Sequence, residues 1–72
     1  MINEKRLKSF AKEFECNIKV EPRKEGLYLS IIGRYGQVFG LFRSGQELNK
    51  FVYTLRKRWK GEYYALGFEF SS

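Results

Sequence analysis

The first apolar residues along the chain are spaced at i, i+3, i+4 and i+7, which makes one stripe of an amphipathic helix: Leu7, Phe10, Ala11 and Phe14. This spacing predicts a helix over residues 4–15. Asn3 is its predicted N-cap, because an Asn side chain can accept a hydrogen bond from an amide of the first turn. Ile2 and Leu7 stand at the two positions of a hydrophobic staple.

After this helix the apolar period changes from 3.6 to 2, which is typical of half-buried strands. The first predicted strand alternates the apolar residues Cys16, Ile18 and Val20 with polar ones and ends at Pro22. Residues 23–26 form a polar segment of hairpin length. A second strand is predicted over residues 27–32.

A turn at residues 33–36 separates the second strand from a third, predicted over residues 37–43. Val38 and Phe42 lie on one face of the third strand, and Phe39 and Leu41 lie on the other. Because both faces carry large apolar groups, this strand is expected to be central in the sheet or to contact a partner.

The second helix is predicted over residues 45–60 and starts with a capping box formed by Ser44 and Glu47. Its apolar stripe consists of Leu48, Phe51, Val52, Leu55 and Trp59. Gly61 is the predicted C-terminal stop. The alternating tail, residues 62–70, is expected to add a fourth strand or to lie along the sheet edge.

These elements predict one α+β domain over residues 1–72, in the order α-β-β-β-α with a possible fourth strand at the C-terminus. Two helices and an antiparallel sheet form a stable pair of layers when both helices cover the same sheet face. We therefore expect both helices on one face, and the opposite face carries apolar side chains as well.

Composition argues against catalysis. The chain has no His and no Asp, and Cys16 is its single cysteine, so the usual general base, triad orienter and metal ligands are missing. We expect no catalytic residue, no metal and no cofactor. With no disulfide, no secretory leader and no apolar run long enough to span a bilayer, the expected location is the cytoplasm, away from membranes.

Fourteen Lys and Arg against eight acidic residues give a net charge of +6. Such an excess predicts an anionic macromolecule as partner: an acidic protein surface, a nucleoprotein complex or a nucleic acid. The main candidate binding residues are the basic face of the second helix: Lys50, Tyr53, Arg56, Lys57, Arg58 and Lys60. The alternative is that these cations complement the helix dipole and form a solvated face around a core tryptophan.

A second, weaker candidate site comprises the turn and the outer sheet face: Tyr28, Arg34, Tyr35 and Phe39. Aromatic side chains there could stack bases, seat a partner protein or pair with a second copy in a homodimer. The alternative is that the aromatic tail, through Tyr64 and Phe68, folds over this face and buries it.

Two nucleic-acid-binding patterns overlap with the predicted elements. Residues 33–36 match the Gly-X-X-Gly string of KH domains, but that string joins two helices, whereas a β-turn between strands explains both glycines. The α-β-β-β-α order is also that of double-stranded-RNA-binding domains. The start of the second helix lacks the lysine cluster that those domains use.

The second helix resembles a compact anti-CRISPR family that inhibits Cas9 and shares the helix, three-strand, helix order. The matching positions are Lys50, Phe51, Val52, Leu55, Trp59, Glu62 and Tyr63. The resemblance implies a phage or mobile-element accessory protein that inhibits a host nucleoprotein complex. That family is acidic and resembles DNA, whereas this chain carries Arg34, Lys57 and Lys60 in the matching regions. A basic inhibitor would instead bind guide RNA, target DNA or an acidic protein surface.

Overall fold

A computed structural model describes residues 2–66, except for the side chains of residues 63 and 64. The described elements are α1 (Glu4–Phe14), β1 (Cys16–Arg23), β2 (Gly26–Gly33), β3 (Gly36–Phe42) and α2 (Gly45–Ala65). The predicted α+β class and the order α-β-β-β-α are confirmed.

Helix α1 begins directly after its predicted N-cap, Asn3, and ends at Phe14, one residue before the predicted end. The Asn3 side chain accepts a hydrogen bond from the Arg6 amide at 3.1 Å, as expected for an N-cap. Glu15 has a left-handed backbone with φ 51°, and its amide donates to the carbonyl of Ala11. This left-handed residue closes the helix and directs the chain into β1.

The three strands form one antiparallel sheet in the order β1-β2-β3. Both hairpins are tight, with Arg23 opposite Gly26 and Gly33 opposite Gly36. Gly36 has φ +137°, a backbone conformation that residues other than glycine rarely adopt. The string at residues 33–36 is therefore a strand-to-strand turn rather than a KH-type clamp.

The structure corrects the predicted end of β1 and excludes one of the two alternatives for β3. Strand β1 continues through Pro22, which lies opposite Leu27, because an edge strand tolerates a residue with no amide hydrogen. Of the two alternatives expected for strand β3, the structure excludes the central position among residues 2–66, because β3 pairs there only with β2, which is the middle strand. Contact of β3 with a partner stays a prediction.

Both helices pack on one face of the sheet and share one core: Phe10, Phe14, Leu29, Ile31, Tyr35, Leu48, Val52, Leu55 and Trp59. The Trp59 ring centroid lies 5.6 Å from that of Phe10 and 5.5 Å from that of Phe14, so aromatic contacts join α2 to α1. On the opposite face Phe39 is 52% exposed. The predicted one-sided layering is confirmed.

Helix α2 is five residues longer than predicted, because Gly61 does not end it. Gly61 lies inside the helix and is not among the glycines with positive φ, so the left-handed geometry of a C-terminal glycine stop is absent there. Residues 62–65, expected to begin a fourth strand or a segment along the sheet edge, are helical. Residues 67–70 of the predicted strand lie outside the described part of the chain.

Candidate cationic binding face

A buried carboxylate joins α1 to α2. Glu13 of α1 is 6% exposed, and Arg56 of α2 binds it through Nε–Oε1 at 2.8 Å and Nη2–Oε2 at 3.1 Å. Lys60 adds a contact of 3.4 Å from Nζ to Oε2. A buried charge of this kind is tolerated only when it is paired and hydrogen-bonded, so Arg56 and Lys60 have a structural role.

The same contacts set the protonation state of Glu13. Hydrogen bonding by Arg56 lowers the pKa of the Glu13 carboxyl, and the positive charges of Arg56 and Lys60 act in the same direction against the desolvation that raises it. The carboxylate is thus ionised at neutral pH, and the three residues together carry one net positive charge.

Beside this trio, α1 and α2 form an open groove. It has a volume of about 330 Å³ and is lined by Asn3, Lys5, Arg6, Ser9, Tyr53 and Arg56. Its lining contains basic and neutral side chains but no acidic one. The groove is therefore suited to an anionic ligand rather than to a cation.

Tyr53 lies among the basic side chains at this groove. The Arg6 guanidinium carbon lies 5.1 Å from the Tyr53 ring centroid, and the Lys57 Nζ lies 4.6 Å from it, both in cation–π range. A hydrogen bond with Lys57, together with the charges of Lys57, Arg6 and Arg56, holds the pKa of the Tyr53 phenol below its usual value. The lowered pKa reflects a positive local potential.

We define the cationic face as Lys5, Arg6, Lys50, Tyr53, Arg56, Lys57 and Lys60. The helical period places Lys50 and Lys57 on the stripe that contains Tyr53, and the structure places Lys5 and Arg6 of α1 beside it. Five of the six predicted helix residues thus belong to one surface. Arg58 does not: its Nε lies 3.9 Å from Oε1 of Glu62, one turn later on the same helix.

The weaker predicted set does not form one site. Arg34 is paired with Glu15 at 2.8 Å. Tyr35 is 7% exposed, and its ring packs against Phe14 with a centroid distance of 5.8 Å. The turn directs the Tyr35 side chain into the core, so little of its surface is left to contact a partner.

The other two members of the weaker set lie on the outer sheet face. The Tyr28 and Phe39 rings are stacked, with centroids 6.5 Å apart and an interplanar angle of 17°. Arg23 lies over the Tyr28 ring at 4.1 Å. This face is on the side of the sheet opposite the helices, so it is a separate surface from the cationic face.

The sequence reasoning missed Lys5 and Arg6 as site residues. Their position on the polar side of α1 could be read from the helical period, but only the packing of α1 beside α2 brings them to Tyr53. Arg6 lies near Tyr53 because Glu13, two turns later on α1, is bound by Arg56 and so holds α1 against α2.

No grouping of acidic and cysteine side chains that could hold a metal ion occurs within residues 2–66. Cys16 is partly buried, and this desolvation raises the pKa of its thiol to about 11, so the reactive thiolate is scarce at neutral pH. In the described part of the chain, neither helix has the length and apolar character needed to cross a bilayer.

Comparison with known proteins found no match to this chain among protein-family models, curated proteins or solved structures.

Proposed function

We propose that this protein is a non-catalytic binding protein whose cationic face engages the phosphate backbone of a nucleic acid. The main support is the groove lining, where Lys5, Arg6 and Arg56 converge without an acidic side chain among the lining residues. The net charge of +6 adds a long-range attraction. Cations that neutralise phosphates release condensed counterions, and this release drives binding.

The two kinds of cation on this face have different roles. Arg56 is already ordered by its two hydrogen bonds to Glu13, so holding it costs little additional entropy on binding. Lys5, Lys50 and Lys57 are exposed point charges on flexible stems, and these can follow a backbone of variable geometry. This combination favours contact with phosphates over a fixed, shape-specific ligand.

The proposed binding does not depend on base sequence. Base edges are read by donors and acceptors such as Asn or Gln placed in a groove of the duplex. At the cationic face, the Asn49 side-chain oxygen accepts from the Asn3 amide at 2.9 Å, and the Asn3 side chain caps α1. These two side-chain oxygens are therefore already hydrogen-bonded within the protein. The groups exposed on the cationic face are mainly cations, which contact phosphates. The proposed setting is the cytoplasm, where a lone thiol stays reduced.

The test is fluorescence anisotropy with short labelled DNA and RNA over a range of salt concentrations. We expect the logarithm of the association constant to fall linearly with the logarithm of salt, by about 0.9 per phosphate contacted on duplex DNA. Lys57→Ala should reduce this slope by roughly one. The matched control Lys24→Ala removes the same charge from the hairpin turn and should leave the slope unchanged. A flat salt response, or equal effects of both variants, would contradict the proposal.

Inhibition of a host nucleoprotein complex such as Cas9 is a second proposal, supported by the element order α-β-β-β-α that the anti-CRISPR resemblance implied. Of the matching positions, Val52, Leu55 and Trp59 are buried in the core. The resemblance therefore concerns helix packing and does not locate an interface. An inhibitor of this charge would use the cationic face on guide RNA or target DNA. A Cas9 cleavage assay comparing Lys57→Ala with Lys24→Ala tests this, and unimpaired cleavage with the wild-type protein would reject Cas9 as the target.

A further inference from the structure

Tyr53 is an exposed aromatic residue on the cationic face. It is 41% exposed, and among residues 2–66 it belongs neither to the core nor to the partly buried apolar residues that pack against it. Two other aromatic residues of α2 pack inward: Trp59 is in the core, and Phe51 lies against it. Burial therefore explains the rings of Phe51 and Trp59 but not the exposed ring of Tyr53.

The contacts of Tyr53 leave its ring accessible from the groove. Tyr53 lines the groove together with Arg6 and Arg56. Lys57 forms a hydrogen bond with the phenol, which places this cation at the hydroxyl end of the side chain. The Arg6 guanidinium carbon lies 5.1 Å from the ring centroid. The 41% exposure is what remains with these cations in place, so a ligand can reach the ring and the positive charges together.

A partner that offers both phosphates and flat apolar surfaces is a single-stranded nucleic acid. Proteins that bind single strands combine a positively charged groove, which follows the backbone, with aromatic side chains on which bases stack. In a duplex the bases stack on one another, and a protein ring reaches a base face only if that stacking is disrupted. A single strand presents base faces without this cost.

The cations around Tyr53 are spaced for a short stretch of strand. Lys50 and Lys57 lie on either side of Tyr53 along α2, and the helical rise separates them by about 10 Å. Charges along one strand of a duplex are about 3.4 Å apart, so this distance covers roughly three nucleotides, or fewer where the strand is extended. Arg6 adds a cation from α1 beside the same ring.

We infer that the cationic face takes a single-stranded nucleic acid, with one base stacked on the Tyr53 ring and neighbouring phosphates on Arg6, Lys50 and Lys57. This inference rests on the proposed function and adds to it the strandedness of the ligand and a contact with a base. Stacking is tolerant of sequence, because every base has a π-face. It therefore agrees with binding that does not read base edges.

Fluorescence anisotropy with labelled probes tests the inference. The probes are an oligothymidine strand, an abasic strand with the same number of phosphates, and a duplex of the same length. We expect oligothymidine to bind roughly tenfold more tightly than the abasic strand. It should also bind more tightly than the duplex, although the duplex carries more phosphates. Oligouridine should exceed the abasic strand as well, and its comparison with oligothymidine shows whether RNA or DNA is the better ligand.

Variants of Tyr53 separate the ring from the charges. Tyr53→Leu removes the ring and should lower the affinity for oligothymidine roughly tenfold, to that of the abasic strand. The salt dependence should be unchanged, because no cation is lost. Tyr53→Phe keeps the ring and should keep the preference for oligothymidine. Tyr28→Leu is the matched control, since it removes the same ring from the outer sheet face and should have no effect. Trp59 fluorescence checks that each variant is folded.

NMR gives a second readout at the ring itself. The Tyr53 ring protons should shift upfield with oligothymidine but not with the abasic strand, because a stacked base shields them. An equal response of these protons to both strands would overturn the inference.

The binding outcomes distinguish the inference from the proposed function. Suppose that binding depends on salt but oligothymidine binds no more tightly than the abasic strand or the duplex. The inference is then overturned, and the proposed function stands. Equal losses of affinity in Tyr53→Leu and Tyr28→Leu have the same meaning. If no probe shows salt-dependent binding, both are overturned.

Discussion

Arg56 donates two hydrogen bonds to the carboxylate of Glu13, at 2.8 and 3.1 Å, although the two residues are 43 positions apart in the chain. The geometry is bidentate, which is the strongest form of the Arg–carboxylate contact. Glu13 is buried and Arg56 is partly exposed. The pair fixes α1 against α2 and so determines which cations share one surface.

Replacing Arg56 should destabilise the protein more than replacing its neighbour Arg58. Arg56→Ala leaves Glu13 buried with only the contact to Lys60, and we expect a loss of about 2 kcal/mol in the free energy of unfolding. Arg58→Ala is the matched control, because its side chain is 71% exposed and lies 3.9 Å from Glu62. A surface pair of this kind contributes less than about 1 kcal/mol. Urea unfolding of both variants makes the comparison, and equal losses would contradict a structural role for Arg56.

The pH dependence of stability should include a contribution from Glu13. Its pKa in the folded state lies below the ordinary value of 4.5 because Arg56 hydrogen-bonds the ionised form, so the unfolded state binds protons first as pH falls. The contribution is fully present above the ordinary pKa and is lost as pH falls through the folded pKa. Glu13→Gln should therefore be less stable at neutral pH and should lose less stability on acidification. If urea unfolding shows parallel pH profiles for the two proteins, this assignment is wrong.

Gly61→Ala should stabilise the protein. Gly61 lies inside α2, and a Cβ built there meets nothing within 4 Å. Alanine in a helix interior is favoured over glycine by about 0.5–1 kcal/mol. Gly36→Ala is the contrasting variant: space is also open there, but φ is +137°, so strain should lower stability. Thermal unfolding distinguishes the two, and a loss in Gly61→Ala would indicate that α2 ends at residue 61 after all.

The phenol of Tyr53 should titrate below the usual range for tyrosine and should respond to Lys57. The hydrogen bond with Lys57 is the largest cause of the lowered pKa, so Lys57→Ala should raise the pKa towards its ordinary value of 10.0. Lys24→Ala, in the distant hairpin turn, should leave it unchanged. Carbon-13 NMR of the tyrosine rings across alkaline pH follows Tyr53 separately from the other tyrosines. No upward shift in Lys57→Ala would mean that Lys57 does not contact this ring.

Most of the fold could be predicted from local patterns. The helical stripe that includes Phe10 and Phe14 and the alternation around Ile18 are set by burial on one side of each element, and burial is periodic in sequence. Asn3 and Ser44 cap the two helices, since the Ser44 hydroxyl accepts from the Glu47 amide at 3.3 Å. The Glu47 carboxylate accepts from the Arg43 amide at 2.9 Å, one residue before the position that a capping box predicts.

The errors occurred where a residue type has more than one structural use. Gly61 can end a helix or lie within one, and Pro22 can end a strand or lie at its unpaired edge. Neighbouring sequence does not distinguish these cases, because the deciding factor is whether the chain continues to pack or pair beyond the residue. The burial of Tyr35 is similar: a tyrosine in a turn contacts solvent or the core according to the direction of the turn.

The sequence alone determined the basic charge of this protein, its lack of His and Asp, and the order of its helices and strands. Only the tertiary structure decided which cations act together. It paired Arg56 and Lys60 with Glu13, placed Arg58 beside Glu62 and brought Arg6 of α1 to Tyr53 of α2. The physical reason is that charge interactions depend on distance in space, and a contact between residues 6 and 53 exists only after hydrophobic packing has placed the two helices side by side.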